Sequence, residues 1–423
     1  MTNLQTKPRI FYGWWIVAIG FLTLFITYGI GVYSRGTFYA AMFNDFGWSR
    51  GDLSLAMSLG AIVAAIFSPF VGTWIDKYGA SRIVAVSAFV VGGFLILSSQ
   101  IQVIWHAFVI FIGYGIARTG SMFLPFQVSI ANWFNKKRGR AMGITMAGVG
   151  LGGFVFAPFS AYLITSFGWR TSWVILGFIT WLVIIPVALL VLKKNPASLG
   201  LLPDGEVAIS DETTSRESVP QEVKPKPAQL TFKRVLKIPI FWLLVAIWIL
   251  FFWSEGAFMQ HAFALFTDKG IPEITAGTLM GIVGLFSLIG KLVLGFLTEK
   301  IPVRYVMAGS IGLKAISLFI LLIGPTWIVW PFVMVYGFSM GGTTGIMALL
   351  VANIFEVSSI GRILGSLTLF SSLSHTFSPP IAGYIFDATG NYDLALLLLA
   401  ITAIPASLLT LFAYSRKGIE KIR

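Results

Sequence analysis

Four ionisable side chains interrupt long apolar runs of this chain: Arg118, Glu255, Lys291 and Lys314. In hydrocarbon such a group costs at least about 2.5–3.5 kcal/mol by insertion scales, so each is expected to face other helices or a watery path and to serve a function there. Arg118 offers a planar fork suited to a carboxylate, and Lys291 a point charge for the same group. Glu255 is the only acid well inside an apolar run. It reads either as a proton carrier or as the standing partner of Arg118 or Lys291. His261 and His375 lie in apolar runs too, as substrate ligands or proton relays on one reading and packing residues on the other. Three cations against one acid leave an excess of positive charge, which favours an anionic substrate.

The elements that position these groups follow from the length of the apolar runs. A membrane span needs about 20 mostly apolar residues. Such runs fall near 11–40, 52–75, 83–103, 105–132, 141–164, 170–192, 239–266, 274–298, 304–324, 327–354, 363–386 and 392–414. Of the 423 residues, 57% are hydrophobic and 11% charged. A soluble globule carries about 25% charged residues, so this chain lacks the polar surface to coat one. It contains no cysteine, which excludes disulfides and thiolate metal ligands. The expectation is an all-α membrane protein of residues 1–192, a largely disordered linker over 193–237, and residues 238–423. The linker reading rests on the Asp, Glu, Ser, Pro and Lys clustered in Asp204–Lys226.

Net charge is +13, but its placement argues against nucleic acid. With Met1 inside, most of the 30 Lys and Arg fall in the N-terminus, the even-side loops, the linker and the C-terminal tail. Only Arg35 (at the rim of the first span), Arg50, Arg170 and Lys269 fall outside. This is the positive-inside bias, with both termini cytoplasmic in a cell inner membrane.

An internal repeat organises the spans. At an offset of 222, Tyr114-Gly115 matches Tyr336-Gly337, Gly139-Arg140 matches Gly361-Arg362, and Pro158, Tyr162 and Gly168 match Pro380, Tyr384 and Gly390. A repeat covering six spans implies twelve transmembrane helices in two six-helix pseudo-symmetric bundles, with substrate near the midplane between them. Gly148-x-Gly150-x-x-Gly153 and Gly337-x-Ser339-x-Gly341 mimic a dinucleotide fingerprint and a nucleophile elbow, yet neither follows a strand. Both lie in apolar helices, where small residues serve close packing. The chain therefore reads as no enzyme and as needing no cofactor or metal.

The loop Gly72-Thr73-Trp74-Ile75-Asp76-Lys77-Tyr78-Gly79-Ala80-Ser81-Arg82 resembles the loop signature of the major facilitator superfamily. Within it, Tyr12-Gly13-Trp14-Trp15, Phe46-Gly47-Trp48-Ser49-Arg50, Gly168-Trp169-Arg170 and Gly200–Gly205 resemble the monocarboxylate transporter and oxalate–formate antiporter group. The segment Asn132–Gly143 carries the strongest likeness. The resemblance implies a major facilitator fold and an anion-binding cation at Lys291. Animal members place an aspartate four residues before that cation; here it is Ser287. The helix 11 lysine of oxalate carriers falls near Ser371. The resemblance also puts Tyr28, Tyr114 and Tyr336 on pathway-lining helices, as substrate contacts or packing residues, and Lys314 on a peripheral helix as a structural or snorkelling residue.

Together these readings predict a secondary carrier for a small organic anion, most simply a monocarboxylate. Arg118, Lys291, Tyr28, Tyr114, Tyr336, His261 and His375 would bind it, and Glu255 or Lys291 would carry a proton. Asp76, Arg82, Glu299 and Arg304 would gate the cytoplasmic side. An anion exchanger without proton coupling is the alternative, and a carrier-like sensor the remote one. A monomer in the bilayer is the expected state.

Overall fold

A computed structural model describes residues 11–193, 196–199, 201–205, 236–355 and 360–413. Its described elements are all helical. In the first half these are α1 (Gly13–Tyr28), α2 (Arg35–Phe46), α3 (Arg50–Tyr78), α4 (Ala80–Ser98), α5 (Ile104–Arg118), α6 (Phe123–Trp133) and α7 (Arg138–Val191). In the second they are α8 (Pro239–Asp268), α9 (Glu273–Leu297), α10 (Val303–Ile323), α11 (Val329–Ile354), α12 (Ile360–Thr389) and α13 (Asp393–Phe412).

Two of the long apolar runs are broken within their length. A π-turn at Gly29–Tyr33 joins α1 to α2 in one run, Gly13–Phe46. There the Ser34 hydroxyl lies 2.9 Å from the carbonyls of both Gly29 and Phe156 in α7 and shares its single hydrogen between them. A 3₁₀ turn at Thr119–Ser121 separates α5 from α6, so that Arg118 is the last residue before the break. The Ser87 hydroxyl donates to the Ala117 carbonyl at 2.6 Å and satisfies backbone the break would orphan. Irregular backbone at membrane depth is tolerated where such partners exist.

α7 spans 54 residues, about 80 Å at 1.5 Å per residue and far beyond one crossing. It folds at Gly168, whose φ of 76° suits glycine. The repeat partner Gly390 takes φ 75° at the end of α12. Among the described residues ten helical segments are long and apolar enough to cross a membrane. The expectation of twelve separate spans is thus met only in part. Residues 141–164 and 170–192 share one bent helix, and α12 falls outside the ten, its sequence carrying eight Ser and Thr, His375 and the Pro379-Pro380 pair.

The halves meet where α7 packs on α9, α3 on α12 and α2 on α8. Gly150 and Gly284 touch at the first contact: an added Cβ at Gly150 would stand 2.7 Å from the Gly284 carbonyl oxygen. The glycines that mimic a dinucleotide fingerprint therefore serve helix crossing. Part of the presumed linker is ordered: Pro196–Leu199 and Pro203–Gly205 form 3₁₀ turns. The rest, including most of Asp204–Lys226, lies outside the described residues.

Candidate functional site

Three clusters of polar side chains lie within the helices. The first surrounds Arg118. Its Nε and Nη1 are buried without a hydrogen-bond partner, and its guanidinium carbon lies 5.9 Å from the Tyr114 ring centroid. The break after α5 places this side chain in a cavity of about 30 Å³ lined also by Arg35, Met57, Ser98, Tyr114 and Trp173. That is room for a couple of waters and not for an organic acid. Arg35, read from sequence as a rim residue, thus shares the cavity with Arg118, and the two guanidiniums act on each other electrostatically. No described carboxylate forms an ion pair with either. Tyr28, its ring centroid 4.7 Å from that of Phe123 and tilted to it, and His375 of α12 feel the Arg118 charge; His375 feels Arg35 as well.

The second cluster centres on Glu255 in α8, one of whose carboxylate oxygens is buried without a partner. The cations acting on it are Lys314 first and Lys291 second, with no contribution from Arg118. Lys314 is fully buried, its Nζ donating to the Phe251 carbonyl at 3.1 Å and lying 4.0 Å from the Phe251 ring centroid. It does not snorkel. Lys291 lays its stem against Gly345 of α11, and the buried Tyr336 hydroxyl has no partner. Ser287, where the family resemblance expects a carboxylate, lies near enough to the Tyr33 hydroxyl of the other half to act on it.

The third cluster joins the halves where α3 begins. Arg50 pairs with Asp268 at the end of α8, Nη1 at 2.6 Å and Nη2 at 3.2 Å, and donates to the Tyr392 hydroxyl at 2.9 Å. Asp387 of α12 accepts from the Ser49 hydroxyl at 2.6 Å, the Arg50 N–H at 3.0 Å and the Gly51 N–H at 2.9 Å. His261 belongs here and not with Arg118. Its Nε2 lies 2.9 Å from the Pro379 carbonyl and its Nδ1 2.8 Å from the Tyr392 hydroxyl. A carbonyl only accepts, so Nε2 carries the proton and Nδ1 accepts from Tyr392.

The expected gating residues lie at the opposite end. The Asp76 side chain is outside the described residues; Arg82 and Glu299 are exposed and form no ion pair with a described residue. Arg304 donates to the Tyr305 hydroxyl at 2.8 Å. Near this end Asp204 accepts from the backbone N–H groups of Asn135, Lys136 and Lys137 at 2.9, 2.6 and 3.2 Å. Burial pushes its carboxyl up, but those three bonds together hold it below the usual carboxylate range.

Two overlapping stretches, residues 17–292 and 256–422, match the family model of the Major Facilitator Superfamily. The chain belongs to that superfamily. It is a multi-spanning, secondary-active small-molecule transporter and not an enzyme. Rat monocarboxylate transporter 12 is 25% identical over 97% of this chain and 87% of its own length. Bovine monocarboxylate transporter 13 is 24% identical over 90% and 84%. Among solved structures, a bacterial homologue of the human lysosomal transporter Spinster, inward-facing and unoccupied, superimposes with a TM-score of 0.72 at 15% identity, covering 99% of both chains.

Proposed function

We propose that this transporter moves a small organic anion, a monocarboxylate, together with a proton. Two six-helix bundles, residues 1–192 and 238–423, would rock about the bound anion, twelve crossings in all, in a cell inner membrane with both termini cytoplasmic. The observation that carries the reading is the Arg35–Arg118 pair: two guanidiniums in one cavity with no described carboxylate paired to either. Like charges buried together are costly, and an anionic substrate is the counter-ion that relieves them. The likeness to proteins named monocarboxylate transporters supports the substrate class. Lys291, Tyr28, Tyr114 and His375 would complete the path, with Glu255 or Lys291 carrying the proton.

Exchange without a proton is the second reading, favoured by one observation: Glu255 already has Lys314 beside it as counter-charge. Flux into proteoliposomes with labelled organic acids separates them. Uptake into empty vesicles driven by an inward acid gradient supports symport. Uptake only after preloading with anion means exchange, and no carboxylate flux under either condition overturns the anion reading.

A further inference from the structure

We propose that a carboxylate latch closes the Arg50 end of this transporter: Asp268 and Asp387 of the second half hold Arg50 and the start of α3 in the first, and their release opens that end to the substrate path. The proposal rests on the alternating-access reading but not on the identity of the substrate.

Asp387 sits where a helix-capping side chain would, accepting from Ser49, Arg50 and Gly51. Yet α3 is already capped from within, because the Ser49 hydroxyl oxygen accepts from the Asp52 N–H at 3.2 Å. The helix therefore does not need Asp387 to stay folded. What Asp387 supplies is docking of one half on the other, and docking can be undone without unwinding α3.

Arg50 fits the same logic. Its guanidinium lies between two rings, 4.1 Å from the Phe43 centroid in the first half and 3.5 Å from Phe386 in the second. Its side chain is 10% exposed and that of Asp268 38%, so the pair stands at the edge of water. A charge-assisted bidentate pair in that position is strong enough to bias two states and wet enough to break. Arg50 also donates to Tyr392, Tyr392 to His261, and Ser54 of α3 lies 3.2 Å from His261 Nε2, so the network continues inward across the interface. Gly383 lets the backbones meet: a Cβ there would stand 2.7 Å from the Arg50 carbonyl.

The other end differs. An added Cβ at Gly139, Gly143, Gly295 or Gly365 would meet nothing within 4 Å. The halves are closed on each other at the Arg50 end, and these glycines near the Asp76 end meet no facing helix, the pattern of one of the two states alternating access requires.

The chain has no cysteine, so two introduced ones report alone. Spin labels at Gln102→Cys and Thr326→Cys, exposed positions on opposite halves at the Arg50 end, read its width by electron–electron double resonance. The unmodified latch should give one short distance. Arg50→Gln and Asp387→Asn should each raise the long-distance fraction about tenfold, the scale of losing one charged hydrogen bond. Combined with Asp268→Asn, Arg50→Gln should widen the end no further, because the two share one bond. Gly383→Ala should prop the end open with the latch intact. If Gly383→Ala opens it while Arg50→Gln and Asp387→Asn leave the distances unchanged, packing alone holds it shut and the proposal is wrong. Because the distances are read without substrate, failure here leaves the carboxylate reading standing, and a failed flux assay leaves the latch standing.

Discussion

Replacing Arg118 by Gln should weaken transport and stabilise the empty protein at the same time. A carboxylate about 4 Å from a guanidinium gains roughly 4 kcal/mol at an effective dielectric of about 20. Losing that alone would cost nearly three decades in affinity, at about 1.4 kcal/mol per decade. Arg118 and Arg35 repel each other in the empty cavity, however, and the substitution relieves that repulsion. It also removes Nε and Nη1, which are buried without partners. The net loss of affinity should therefore be nearer two decades, and the melting temperature of the substrate-free protein should rise. Labelled-acid uptake in proteoliposomes gives the first number, and thermal unfolding in detergent, with and without substrate, gives the second. A structural arginine would behave oppositely, its loss lowering the melting temperature. Near-normal uptake by Arg118→Gln, or a lower melting temperature with uptake lost, would refute the reasoning. Arg35→Gln should behave as Arg118→Gln does, and the double variant should lose less than the sum, since the two share one ligand.

Other perturbations test the remaining clusters. Lys291→Gln should abolish uptake while folded protein stays in the membrane, and Lys291→Arg should keep it, as measured by the same flux. Lys314→Met should lower thermal stability by about 3–5 kcal/mol, because it leaves Glu255 without its first counter-charge. Asp76→Asn should shift the population towards the state apart at the Asp76 end, read by accessibility of a reporter cysteine there; unchanged accessibility counts against the gate. The Asp204 carboxyl is held down in the folded state, so its tie to residues 135–137 is fully present above the unfolded carboxylate value and is lost as pH falls through the lower folded one. Protection of the Asn135, Lys136 and Lys137 amides, taken relative to their intrinsic exchange at each pH, should therefore fall in acid, and Asp204→Asn should abolish that fall.

Much of the helical frame was legible in the runs of apolar residues. Runs near 239–266, 274–298 and 304–324 appear as Pro239–Asp268, Glu273–Leu297 and Val303–Ile323. Bends were not legible, and the misplaced residues follow from them. The π-turn at Gly29–Tyr33 shifts the helical register, which turns Arg35 into the Arg118 cavity; the excess length of the first run and the close pair Gly29 and Gly31 within it were the available signal. Thr119-Gly120-Ser121 beside Arg118 similarly announced a break. The latch had no local signal. Arg50 and Asp268 are 218 positions apart and Arg50 and Asp387 are 337, and no periodicity within one helix reports a contact between two halves. Lys314 looked peripheral because helix order alone does not say which face of a helix turns inward.

The two buried clusters differ in charge balance, and that difference divides the work of coupling. Around Arg35 and Arg118 the charge is positive and no described carboxylate pairs with it, so on the proposed reading this region would bind an anion at any pH at which arginine stays protonated. Around Glu255 two lysines face one carboxylate, so a proton gained or lost there changes the balance by one charge either way. A carrier that held both functions on one residue would have to release the proton each time it released the anion. On the symport reading, with the anion on the first half and the titratable group on the second, the two would be coupled only when the halves are together around the path. Ser287 and Glu255 of the second half both act on the Tyr33 hydroxyl of the first, so on that reading Tyr33 is where the first half would meet the titratable group. On the symport reading, Tyr33→Phe should leave anion binding intact while uncoupling uptake from the acid gradient, and loss of binding in that variant would place Tyr33 in the anion site instead.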